Sequence, residues 1–170
     1  NYNKFFMEKK FTGALIVAAG KGVRSKSTIP KQYIHFGHKT VLQKNIENFI
    51  YEPLIDFVIV AINKEHIELY EKVIAKIHSS KLLPKCFGGD TRSKSVKNGL
   101  KAIANIGCSK ILIQDGARPF TSNKIIKNCI NGLDKFDVVF PGVKIPDTLY
   151  IQRKENNIKT IGELGPTRDN

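Results

Sequence analysis

The chain has 170 residues, 41% hydrophobic and 25% charged, which fits one globular domain with a single core. It has no apolar run of the roughly 18 residues a membrane span needs, and no leader-like N-terminus. The net charge of +13 comes from 28 Lys and Arg against 15 Asp and Glu. That excess is mostly lysine spread along the whole chain, without an Arg-rich tract or a basic run interleaved with aromatics. Such a distribution suits an anionic small molecule better than a nucleic acid.

Met7-Glu8-Lys9-Lys10 reads as a native start, which makes residues 1–6 an extension, and residues 1–12 together are set aside as N-terminal to the domain. The run Ala14-Leu15-Ile16-Val17-Ala18 is short and apolar, as a buried strand should be. It breaks into Ala19-Gly20-Lys21-Gly22, with Arg24 and Lys31 beyond. Small residues and glycines at a strand end let backbone N–H groups approach a ligand closely, and trailing cations suit a polyanion such as a triphosphate. The spacing is not that of a P-loop, which needs G-x-x-x-x-G-K-[ST]. It is not the dinucleotide fingerprint either, because Ser25 stands where a third glycine is required.

Thr40 can cap a first helix through about Tyr51, with Leu42, Ile46, Phe49 and Ile50 on one face and Pro53 ending it. Ile55 to Ile62 is apolar on both faces and reads as a parallel strand. Asn63 caps a second helix carrying Ile67, Tyr70, Val73, Ile74 and Ile77. A short strand from Leu82 to Phe87 leads to Gly88-Gly89-Asp90, and a third helix places Val96, Leu100 and Ile103 in phase. Lys110 to Gln114 is the next strand, ending at Asp115-Gly116. Ser122 caps a fourth helix with Ile125, Ile126, Cys129, Ile130 and Leu133, and Asp137 to Val143 reads as a fifth strand. From there Asp147 to Arg153 and Asn157 to Ile161 read as a hairpin-like excursion around Lys154-Glu155-Asn156-Asn157.

Strands and helices in alternation predict a doubly wound α/β domain over residues 13–145 with a mainly parallel sheet. Residues 146–170 form an extended β-arm with too few apolar residues to fold alone. Ligands in such sheets sit outside the carboxyl ends of the strands. The Gly- and Asp-bearing segments Ala19 to Arg24, Gly88 to Asp90 and Asp115 to Arg118 all fall there. Asp90 reads either as part of that site or as the N-cap of the third helix. Asp115-Gly116 reads as site rather than ordinary turn because Arg118-Pro119 follows. Arg118 reads as a structural partner of a nearby carboxylate rather than a catalytic group. His35 and His38 flank Phe36-Gly37 and read as surface loop rather than a metal pair. Cys86, Cys108 and Cys129 are scattered without a C-x-x-C pair, which suits reduced thiols in the cytoplasm.

Ala18-Ala19-Gly20-Lys21-Gly22-Val23-Arg24 with Pro30-Lys31-Gln32 resembles the A-A-G-x-G-x-R…P-K-Q signature of the Rossmann-like sugar- and alcohol-phosphate nucleotidyltransferases. Gly88-Gly89-Asp90-Thr91-Arg92 with Ser95, then Asp115-Gly116-Ala117-Arg118-Pro119-Phe120, then Pro146-Asp147-Thr148, narrow the match. In this order the four segments are similar to the family of 2-C-methyl-D-erythritol 4-phosphate cytidylyltransferases. The resemblance implies an enzyme that joins CTP and methylerythritol phosphate with Mg²⁺, releasing pyrophosphate, in non-mevalonate isoprenoid synthesis. It makes Arg24 and Lys31 the cations that hold the triphosphate and stabilise the transition state. It makes Ala18, Ala19, Gly20, Gly22, Gly89, Asp90 and Ser95 the CTP site, and Asp115 the carboxylate at metal and ribose. Thr148 and Arg168 match residues for the acceptor, carried on or beside an arm that embraces a second subunit, so a homodimer is expected. The resemblance also implies a further C-terminal stretch of the fold that this sequence does not contain, so the chain as it stands should be nearly inactive. Two alternatives stay open: a ribitol 5-phosphate cytidylyltransferase, whose relatives tend to read A-G-G and D-A-V-R-P in the two loops, and a basic nucleic-acid-binding module.

Overall fold

The structure, a computed structural model, describes residues 11–22, 29–143, 150–155 and 158–163. The chain divides into two compact units, one ending at Val139 and the other beginning at Phe140.

The first unit is built on a four-stranded parallel sheet. Its strands are β1 (Phe11–Ala18), β4 (Phe57–Ile62), β5 (Cys86–Phe87) and β6 (Cys108–Asp115), in the spatial order β5-β4-β1-β6. A two-residue hairpin, β2 (His35–Phe36) with β3 (Lys39–Thr40), stands apart from the sheet. The helices are α1 (Val41–Ile50), α2 (Ile67–Ile74), α3 (Arg92–Ala102) and α4 (Asn123–Gly132).

The predicted doubly wound α/β architecture is the observed one, and the core shows why. Alternate residues of the two central strands face opposite ways, and both faces are apolar. Ala14, Ile16, Val58, Val60 and Ile62 join Leu42, Ile46 and Phe49 of α1, Tyr70 and Val73 of α2, and Ile126 and Ile130 of α4. Leu15, Phe57, Ile59 and Ala61 face the other way, against Val96 and Leu100 of α3. Three helices therefore cover one face and one covers the other.

The helix starts follow the capping chemistry of the sequence. Thr40 accepts the Gln43 N–H at 3.1 Å and Ser122 accepts that of Ile125 at 3.4 Å, both as expected. Asn63 accepts from Glu65 N, but the turn it caps is a 3₁₀ segment, Lys64–His66, and α2 begins only at Ile67. The cap of α3 is Thr91, which accepts from Lys94 N at 3.1 Å. The N-cap alternative for Asp90 is thus overturned, because the next residue does that work.

Four strands differ in their boundaries from expectation, and β4 begins at Phe57 rather than Ile55. β1 begins three residues before its apolar run, at Phe11, and β6 begins at Cys108 rather than Lys110. The strand expected over Leu82 to Phe87 shortens to Cys86–Phe87, with one isolated bridge between Val58 and Leu82. The fifth strand expected over Asp137 to Val143 does not form. Pro141 lacks an N–H for a ladder. Val138 is 77% exposed, so its apolar character meets no sheet face. β6 is consequently an edge of the sheet, paired only with β1 among the described residues.

The second unit contains an antiparallel hairpin, β7 (Tyr150–Glu155) with β8 (Ile158–Glu163), in register from Tyr150↔Glu163 to Glu155↔Ile158. The expected hairpin is there, though Lys154 and Glu155 extend its first strand rather than forming the loop. Among the described residues no helix is long and apolar enough to cross a membrane.

Candidate active site

Strand order locates the site. Reading outward from β1, the chain goes to β4 and β5 on one side and returns to β6 on the other. In a parallel sheet the crevice beside such a reversal, at the carboxyl ends, is the place a ligand can enter. Here it lies between the ends of β1 and β6. Val17 pairs with Asp115, and the Gly116 N–H donates to Val17 O at 2.8 Å, after which the two chains part.

Beyond β1, Ala18 is buried, Ala19 half-buried and Gly20 exposed. Gly22 takes φ 73°, a left-handed conformation that L side chains rarely adopt. The loop is held from beneath by Gln32, 5% exposed, whose side-chain amide donates to Ala18 O at 2.9 Å and Gly20 O at 3.0 Å. Gln32 is the centre of a 3₁₀ turn, Lys31–Tyr33, that follows Pro30. Pro30, Gln32 and Tyr33 are buried while Lys31 is exposed. The turn thus anchors Lys31 at its backbone and leaves its ammonium in solvent beside the loop. Burial also pushes the Tyr33 phenol well above its ordinary pKa, so it stays neutral.

The second loop approaches from β5. The Gly88 N–H donates to Ile62 O at 2.9 Å, and a Cβ on Gly88 would stand 2.3 Å from Ala19 Cβ and 2.7 Å from Ser95 Oγ. Only glycine permits this contact between the two loops. Ser95, 2% exposed, accepts the Gly89 N–H at 3.0 Å and donates to Thr91 O at 2.9 Å. Its hydroxyl therefore shapes the Gly88–Asp90 loop from inside. Asp90 is exposed and pairs with Lys94 at 3.1 Å, one helical turn on.

The third loop carries Asp115. Its carboxylate, 30% exposed, receives Arg92 Nε on Oδ1 at 2.8 Å and Arg118 Nε on Oδ2 at 3.1 Å. The reading of Arg118 as a carboxylate partner is borne out, and Arg92 is a second one. Helix α1 holds the backbone of this loop. Asn45, fully buried, donates to Gly116 O at 2.8 Å, and Asn48 donates to Pro119 O at 3.0 Å. Gln114 adds a bond to Arg118 O at 2.8 Å. Phe36 of the small hairpin meets Phe120 edge to face, with ring centroids 5.4 Å apart.

The amide anchors Gln32, Asn45 and Asn48 and the cross-loop Arg92 were not among the candidate site residues. A signal existed for Asn45: it lies three residues after Leu42 and four before Phe49, on the apolar face of α1, where a polar side chain needs a buried partner. Replacing Asn45 by alanine is expected to leave Gly116 O unpaired and to cost about 1–3 kcal/mol. Urea unfolding checks this, and a midpoint equal to that of the parent would refute the anchoring role.

The structure thus gathers Ala18, Ala19, Gly20, Gly22, Gly88, Gly89, Asp90, Ser95 and Asp115 on one edge of the sheet, with Lys31 beside them. Arg24, Thr148 and Arg168 lie outside the described residues. Among the described residues no group of three or more His, Cys, Asp and Glu is placed to hold a metal ion. Asp115 alone nevertheless fits a hard cation shared with phosphates. Its Oδ1 accepts the Arg92 N–H and its Oδ2 is ion-paired with Arg118, while a carboxylate offers about four lone-pair sites.

Solved structures share this fold. The chain superposes on the structure of 4-diphosphocytidyl-2C-methyl-D-erythritol synthase from Anaerococcus prevotii with a TM-score of 0.76 and 27% identity, over 93% of this chain and 64% of that one. The corresponding figures for 2-C-methyl-D-erythritol 4-phosphate cytidylyltransferase of Francisella tularensis are 0.64 and 28%, over 95% and 68%. Sheet order, crevice and converging loops define the Rossmann-like nucleotidyltransferase fold. The family model for 2-C-methyl-D-erythritol 4-phosphate cytidylyltransferase (IspD) matches residues 12–163, and the chain belongs to that family. Similar proteins include the bifunctional enzyme IspD/IspF of Wolbachia pipientis wMel, 42% identical over 81% of this chain and 35% of that protein. Another is the 2-C-methyl-D-erythritol 4-phosphate cytidylyltransferase of Clostridium kluyveri, 38% identical over 87% of this chain and 64% of that protein. The chain therefore spans between about a third and two thirds of the length of these two relatives.

Proposed function

We propose that the protein to which this chain belongs joins CTP and 2-C-methyl-D-erythritol 4-phosphate, giving CDP-methylerythritol and pyrophosphate. The observation that carries the reading is the meeting of three loops at the β1/β6 crevice, in a chain of this family. Ala18, Ala19 and Gly89 carry little or no side chain and would let a flat base lie against backbone, with exposed Asp90 beside them and Ser95 holding the Gly89 N–H. Gly20 leaves room for phosphates, and Gly22 supplies the left-handed turn of the loop. Lys31 and Arg24 hold the triphosphate and meet the charge that gathers around the α-phosphorus. An oxygen of the acceptor phosphate attacks that phosphorus in line, and the bond to the bridging oxygen of the leaving pyrophosphate breaks. With no covalent enzyme intermediate, the protein contributes positioning and charge stabilisation. Asp115 would hold Mg²⁺, which when bound offsets phosphate charge. Thr148 and Arg168 would orient the acceptor.

The β7–β8 hairpin, in a stretch poor in apolar residues, suits an arm that packs on a second copy, and we assign a homodimer. Sedimentation showing only monomers at micromolar concentration would count against it.

The test is pyrophosphate release by the full-length protein, with CTP and either methylerythritol phosphate or ribitol 5-phosphate. Turnover with methylerythritol phosphate is expected, and turnover with ribitol 5-phosphate alone would transfer the assignment to that acceptor. No turnover with either would overturn the cytidylyltransferase reading. The nucleic-acid-binding alternative draws no support from the relatives.

A further inference from the structure

We infer that Arg92 is a positioning residue for the transfer reaction, setting the Asp115 carboxylate against the nucleotide loops across the crevice. The inference rests on the proposed role of Asp115. A carboxylate at the end of a strand has two torsions to fix before its oxygens point reliably at a ligand. Asp115 has two guanidinium partners, and they do different things. Arg118 stands three residues on in the same loop, so it moves with the carboxylate and refers it to nothing else. Arg92 comes from 23 positions away in sequence, at the first residue of α3, and places Nε 2.8 Å from Oδ1.

That origin matters because α3 is tied to the nucleotide loops. Ser95, on the first turn of α3, binds Gly89 N and Thr91 O, and Gly88 abuts Ala19. The helix itself sits hard against β1: a Cβ on Gly99 would come within 2.4 Å of Leu15 Cδ1. Any displacement of the Gly88–Asp90 wall therefore carries Arg92, and through it the carboxylate. Among the described residues Arg92 makes the only ion pair that Asp115 forms outside its own loop. β5 and β6 are the opposite edges of the sheet, so this single bond joins loops that the sheet ladder itself does not connect. The pair is half open to solvent, with side chains 61% and 30% exposed, so it contributes little to stability and is free to serve geometry. Outer partners of a ligating carboxylate typically matter about 10–100-fold in activity.

The test is a double-mutant cycle of Arg92→Ala and Asp115→Asn in the full-length protein, with CTP and methylerythritol phosphate, together with Arg92→Lys. Arg92→Ala is expected to lower kcat about 10–100-fold with the KM for CTP changed by less than about 3-fold, and to leave the melting temperature near that of the parent. Arg92→Lys, which keeps the charge but lacks the planar Nε donor, should recover only part of the rate. In the Asp115→Asn background, removing Arg92 should cost almost nothing more, because its effect passes through the carboxylate. Losses that multiply independently would overturn the inference, as would a rise in KM for CTP with kcat unchanged. Parent rates for Asp115→Asn alone would instead overturn the role of Asp115. A misfolded Arg92→Ala leaves Arg92→Lys to decide: full activity there refutes the need for the Nε geometry.

Discussion

Lys31→Ala is expected to lower kcat for cytidylyl transfer about 10²–10³-fold, the size associated with losing one aimed transition-state donor. The structure argues for an effect on rate rather than on folding. Pro30, Gln32 and Tyr33 are buried around the Lys31 backbone, so the turn keeps its place when the side chain is shortened. The ammonium is exposed and makes no ion pair among the described residues, so its removal strands no buried charge. Thermal stability should stay within about 0.5 kcal/mol of the parent, as for surface substitutions generally. Lys31→Arg should restore part of the rate, since it returns a cation with a different reach. Steady-state kinetics with varied CTP decide the point. A rise in KM with kcat intact would mean that Lys31 binds ground state and transition state equally, and its transition-state role would be wrong.

The second large effect is expected from Gly88→Ala. The added methyl would lie 2.3 Å from Ala19 Cβ and 2.7 Å from Ser95 Oγ. Ala19 Cβ is fixed to backbone, and Gly88 is itself pinned through its N–H to Ile62 O. Relief requires the two loops to separate by roughly 1 Å to reach ordinary carbon–carbon contact. A shift of that size in reacting groups costs about 10²-fold in rate, and kcat/KM for CTP should fall accordingly. The sheet core below remains packed, so the loss of stability should stay within about 1–3 kcal/mol, the usual cost of overpacking. Gly20→Ala is the companion variant, because nothing lies within 4 Å of a Cβ there. It should melt like the parent yet weaken CTP binding, since the open space is where phosphates are expected. Isothermal titration with CTP separates the cases, and unchanged CTP affinity in Gly88→Ala would refute the contact between the loops as a determinant of the site.

The parts of the molecule legible in advance were those governed by near neighbours in sequence. Thr40 and Ser122 were recognisable as caps because the N–H groups they accept lie three residues on. The strands around Leu15 and Ile59 were recognisable because burial on both faces requires an unbroken apolar run. Asp90 and Thr91 show the limit of that logic. Both are good cap residues, and the loop geometry, set by Ser95 and Gly88, decides which one faces the helix. Asp137 to Val143 shows another. Its residues have strand character, but a strand exists only with a partner edge and a face to bury against, and neither is written in seven residues.

Composition, apolar period and glycine placement were enough to establish alternating strands and helices, the carboxyl-edge loops and the kind of ligand they suit. These follow from steric and hydrophobic preferences acting over a few residues. That β1 and β6 would be neighbours, that Gln32 and Asn45 would hold the loops, and that Arg92 would reach Asp115 depended on the folded chain. Such contacts join residues 12 to 98 positions apart, and their existence depends on strand order and helix packing rather than on any local preference.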